Sequence, residues 1–444
     1  MRTLRTAALT FGFALTLPGL ASAEVGAEIR SKVLQTYAAI AERSYSDALA
    51  DAQSLKIAID ALVDSPSEAT LDAARAAWLA ARETYGPTEV FRLSGGPIDA
   101  EAGWVADAWG APEGEINGWP LDEALIDYTI DADGNRTSGN IIDTAGAFTP
   151  RGDDAAPVDV TTITPEAITA LNENGGDANV ASGYHAIEFL LWGQDQDYNN
   201  FIEDKITHGP TTAGERSVAD FTTDPFASRR LAYLKAAADK LVVDLGRVAG
   251  AWDADLDGDR GLYRAALTGR LTGDQADRNI PADVALKQIL IGIGMFSKSE
   301  LANERIAVAV LTPSEEDEHS CFSDNTHRDI ATDIEGLQNV LLGEYAGRSV
   351  GMGLADVLPN DDFAKLAALM GDIKARSDLI TKIARTEMHF DYQIHPENEA
   401  TVQNIVSLKN RLRRLGDEMV TIAPAYGFSL TTENVTDPEE TQVN

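Results

Sequence analysis

His185 and Glu188 stand three residues apart in the stretch Gly183-Tyr-His-Ala-Ile-Glu188. If this stretch is helical, that spacing puts an imidazole and a carboxylate side by side on one face. A nitrogen and an oxygen donor together suit borderline cations such as iron and zinc, and helical bundles assemble such sites from two-ligand helices. Two ligands leave a site incomplete, and the same spacing equally describes a buried histidine satisfied by its neighbour. The pair lacks the second histidine of a zinc-peptidase HExxH helix.

Five further groupings combine reactive residue types. Trp78, Arg82, Tyr85, Glu89 and Arg92 step by four and three along a helical stripe, but Gly86-Pro87 interrupts it, so Glu89 is expected in the first turn of a new helix. Asn117-Gly-Trp-Pro-Leu-Asp-Glu123 runs on to Asp127-Tyr128; its three acids either face a cavity or cap a helix start after Pro120. Glu300 and Glu304 share a helical face beside Arg305, behind Gly292 and Gly294, whose small size lets another helix approach closely. The densest run is Glu315 to His327, with His319 and Cys321 as donors for a soft metal. Four acids just upstream raise the thiol pKa and favour an inert Cys321. Asp253-x-Asp255-x-Asp257-Gly258-Asp259 opens like a calcium loop, yet Arg264 stands where an EF-hand needs its closing glutamate. At most weak calcium binding is expected there.

Gly183-x-His185-x-x-Glu188, followed by Phe189-Leu-Leu-Trp-Gly193 and Gln194-Asp195, resembles the signature of the imelysin family. The Trp78 to Arg92 stripe with Gly96-Pro97-Ile98-Asp99, and the Asn117 to Tyr128 segment, are similar to imelysin sequence as well. Glu315 to His327 resembles the iron-regulated protein A-like branch. The resemblance implies a bacterial envelope protein linked to iron acquisition, from a family historically described as peptidases. It implies two packed helical bundles, with His185 and Glu188 as metal ligands and Glu89 and Glu304 as the candidates that complete the shell. Glu89 paired structurally with Arg92 is the competing reading. The cargo is then iron or a related divalent cation, free or as a metal chelate, with an envelope iron-uptake or haem-protein partner. A metallopeptidase using the same residues, or a metal-free helical scaffold, stand as alternatives.

Helices must position these residues. Val25 to Leu62, Ala69 to Tyr85, Pro225 to Trp252, Val284 to Leu311, Ile330 to Leu342, Phe363 to Arg385 and Thr401 to Thr421 carry apolar residues three and four apart. No segment alternates as a strand does, so the fold class is all-α. Residues 131–179, rich in Asp, Gly, Thr and Pro, form a long irregular excursion with one short helix near Pro165 to Leu171. Residues 1–23 read as a secretory signal peptide: Arg2 and Arg5, an apolar core, then Ala21-Ser-Ala23. A boundary in the polar loop after Leu311 separates 24–311 from 312–444. The mature chain is expected in the periplasm, in solution or associated with the outer membrane, with no membrane span. A formal net charge of -35 repels nucleic acid and anionic lipid and attracts cations.

Overall fold

The computed structural model describes residues 25–131, 133–195, 213–311 and 317–441. Helix takes up 62% of it and strand 3%, which makes the fold all-α as expected. The signal peptide expected at 1–23, and residues 312–316 where the domain boundary was placed, lie outside the described residues.

Ala27–Asp64 is the longest helix. Tyr37, Ala41, Tyr45, Ala48, Ala52, Leu55, Ile59 and Leu62 recur at steps of three and four and are all buried, so one stripe faces the core. It stops at Ser65 because Pro66 disfavours helical geometry in the residue before it. Ser67 then opens Glu68–Tyr85 with a reciprocal cap to Thr70. Both helices form one bundle with Ala227–Ala251. A second group is built from Ala282–Met295, Thr326–Leu342, Asn360–Thr386 and Glu399–Ile422.

Gly86-Pro87 does interrupt the stripe, but the chain leaves Tyr85 as a short 3-10 helix, Gly86–Phe91. It packs along Thr326–Leu342 and ties the two groups together. Ala282–Met295 continues into a π-helix, Phe296–Ala307, which lies against Glu399–Ile422. The glycines permit the close approach expected of them. A Cβ on Gly294 would stand 2.6 Å from Val435, and one on Gly416 would stand 2.7 Å from the Gly294 carbonyl. The 131–179 excursion is mostly turns, with Ala147–Phe148 pairing antiparallel to Val158–Asp159 and one helix at Pro165–Leu171.

All ten residues of Gly183–Trp192 are buried. Such an apolar helix is stable only when enclosed, and it sits between Glu68–Tyr85, Glu113–Asn117 and Ala227–Ala251. Gly183 begins it with φ +82°, and any side chain there would collide with the carbonyls of Glu115 and Ile116.

Candidate metal centre

The enclosed helix puts His185 and Glu188 on one face, as their spacing requires. His185 Nδ1 is 2.9 Å from Glu188 Oε2, and neither residue is exposed. Ser323 holds the other carboxylate oxygen through its backbone N–H at 3.0 Å and its hydroxyl at 2.7 Å. On its far side, His185 Nε2 faces His319 Nε2 at 3.3 Å. The two rings meet edge to face, with Trp119 set against both. The Asn117 side-chain nitrogen lies 3.4 Å from the same His319 nitrogen.

Burial pushes both imidazoles well below the usual histidine range, and the nearby Arg82 and Arg305 charges add to it. Burial also pushes Glu188 up to about 8, against the opposing Ser323 hydrogen bonds. The His185–Glu188 contact is therefore a hydrogen bond between two groups that burial drives towards their neutral forms, with His185 Nε2 turned to His319.

Around this pair lies a lattice of arginines and acids. Arg82 donates to Asn117 at 2.5 Å and to Asp329 at 3.1 Å, and its plane lies near the rings of Tyr85 and Tyr184. Glu89 accepts from Arg92 at 3.2 Å, from Asn117 at 3.4 Å and from Arg305. Burial would raise the Glu89 carboxyl, but Arg305, Arg92 and Arg82 outweigh it and hold the group at about 2. Its oxygens face guanidiniums rather than the imidazoles. The π-helix explains why Arg305 arrives here: with i to i+5 bonding, Glu300 and Arg305 share a face and pair at 3.0 Å. Glu304 turns elsewhere, towards Asn303 and Thr441.

A cavity of about 420 Å³ opens against His319 and Trp119, with Arg92, Glu113, Glu300 and Glu304 on its walls. His185 lies behind His319. The structure thus gathers His185, Glu188 and, through Asn117, Glu89, and it sets Glu304 on the cavity wall. Of the other acids read from the sequence, Asp127 is clasped by Arg216 at 2.5 Å and Arg230 at 2.6 Å. In the calcium-like loop Arg260 sits 2.6 Å from Asp253, so a side-chain cation occupies the place of the first ligand.

His319 belonged to a ligand-rich run in the sequence, but its partnership with His185 bridges 134 positions and leaves no periodic trace. Ser323 and Asn117 are ordinary residues by type. The adjacent Cys321 is buried and forms no disulfide.

The solved structure of a protein named as an iron-regulated protein A precursor, from Parabacteroides distasonis, has the same fold, with a TM-score of 0.60 at 18% identity. The alignment covers 91% of this chain and 98% of that one. No curated protein matches the chain. The imelysin family model matches residues 41–419, most of the chain, and in agreement with the all-α fold and the buried His185-x-x-Glu188 helix, the chain belongs to the imelysin family.

Proposed function

We propose that this chain is an exported cation-binding protein that takes up iron, or a related divalent cation, at His185 and His319. The observation that supports this reading best is the 3.3 Å separation of the two Nε2 atoms. Nitrogens each about 2.1 Å from one ion at a near-tetrahedral angle stand that far apart. Glu188 then acts by taking the Nδ1 proton of His185 and fixing the ring, as a carboxylate behind a ligating histidine does. Ser323 fixes Glu188 in turn. Glu89 and Glu304, candidates from sequence, serve here as the anchor for Asn117 and the arginines and as part of the cavity wall. The cavity beyond His319 leaves room for water or a chelating group to complete the coordination. It presents arginines and carboxylates, which suits a charged metal chelate as well as a free ion.

The iron-related name of the structural neighbour and the signal-like first 23 residues point the same way, towards uptake across the envelope with an iron-uptake or haem-protein partner. No helix among the described residues is long and apolar enough to cross a membrane. Iron(II) titration calorimetry under anaerobic conditions tests the site. His185→Gln and His319→Gln should each lower affinity at least 100-fold with an unchanged helical circular dichroism spectrum. Glu188→Gln should cost about 10- to 100-fold, the usual effect of removing a carboxylate behind the ligand. Wild-type affinity in both histidine variants would give the scaffold reading the lead. Metal-dependent peptide cleavage that vanishes in His185→Gln would instead favour the metallopeptidase.

A further inference from the structure

A second group of ligating side chains lies outside the cavity, where residues 317–325 meet the turn entering the short helix Phe390–Ile394. His389 Nε2 is 3.6 Å from an Asp324 oxygen, and its Nδ1 is 3.5 Å from an Asp391 oxygen. One ligand atom from each of Asp324, His389 and Asp391 lies within 4.8 Å of the others, and all three residues are buried. Glu318 comes from the same loop and has no exposed surface. Neither of its oxygens makes a hydrogen bond of good geometry, although the Asp391 carboxyl and the Thr326 hydroxyl are close by.

Three buried carboxylates around one imidazole need positive charge. A single proton shared between Glu318 and Asp391 leaves that pair with one negative charge and Asp324 adds a second, of which a protonated His389 would offset one. We propose that Glu318, Asp324, His389 and Asp391 form a second cation site, separate from His185 and His319. Carboxylate oxygens suit manganese and imidazole suits iron and zinc, so three oxygens with one nitrogen fit a divalent ion of the manganese–iron–zinc group, manganese first. The site has a structural consequence. Glu318 precedes His319 and Asp324 follows Ser323, so an ion here pins the loop that delivers both residues to the His185 centre.

The test is manganese binding to chelator-treated full-length protein in a His185→Gln background, followed by calorimetry and by the loss of the free manganese electron-spin-resonance signal. One equivalent should bind, and adding Asp391→Asn or Glu318→Gln should weaken it at least 100-fold while circular dichroism stays unchanged. Glu318→Gln is nearly isosteric and carries the test alone if Asp391→Asn does not fold. A His185→Gln chain that binds no manganese would overturn the proposal and identify the cluster as proton-sharing acids. Unchanged affinity in Glu318→Gln would also overturn it, placing the ion elsewhere on the acidic surface. If wild type and His185→Gln bind equal numbers of ions, the His185 centre fails and this site stands.

Discussion

Burial, and the charges enclosed with each group, decide what a titratable residue in this core can be. Asp99 shows the effect away from the histidines. One of its oxygens accepts from the Leu93 backbone N–H, and the other is buried with no hydrogen-bond partner. Burial pushes its carboxyl up to about 6, more than the Leu93 hydrogen bond and the Arg92 charge can hold down. An acid with a raised folded pKa contributes stability that is fully present below its unfolded pKa near 4 and lost as pH rises through about 6. A displacement of that size corresponds to on the order of 2–3 kcal/mol. Asp99→Asn keeps an oxygen for Leu93 and cannot ionise. Urea unfolding should therefore find the variant about 2 kcal/mol more stable than wild type at pH 8 and nearly equal at pH 4. Equal stability at both pH values would show that Asp99 ionises in the fold without cost.

At the scale of elements, the two helical groups meet where Gly86–Phe91 runs along Thr326–Leu342. A Cβ on Gly336 would lie 2.8 Å from the Pro87 carbonyl oxygen and 3.1 Å from its Cα. Gly336→Ala should thus cost about 1–3 kcal/mol through overpacking, despite the higher helix propensity of alanine. A shifted urea midpoint with an unchanged slope would report it; an unchanged midpoint would mean that the contact yields. This junction matters because Glu89 and Asp329 lie on its two sides and hold the site's arginines. The long helices were legible because a buried stripe repeats every three or four residues, as in Tyr37 to Leu62. The π-helix was not, since widening the turn changes which residues share a face without changing their types. For that reason α-helical spacing turns Glu304 inward, while in the fold Arg305 occupies that face. His185 and Glu188 could be read as a pair because both belong to one turn of one helix. Their completion by His319, and the meeting of Glu318 with Asp391, depend on chain crossings that local spacing does not encode.

Over the whole molecule, acids outnumber bases by 71 to 36, yet the two candidate centres are enclosed. Much of the acid excess is on the surface, where it creates a long-range field that salt screens, with a Debye length of about 10 Å at 0.1 M. The bonds an ion would make inside under the proposed reading, to His185, His319 or the Glu318 cluster, would be shielded from that salt by the protein around them. The field should consequently act on capture and the buried donors on retention. Stopped-flow measurement of manganese(II) or iron(II) uptake should show the association rate falling roughly tenfold or more between about 0.02 M and 0.5 M sodium chloride, with dissociation nearly unchanged. Neutralising surface acids far from either centre, such as Asp361 and Asp362 at the start of Asn360–Thr386, should lower the association rate slightly and leave dissociation alone. Sodium chloride acting mainly on dissociation would mean that the ion sits in exposed acidic surface, and neither buried cluster would then be where the cation is held.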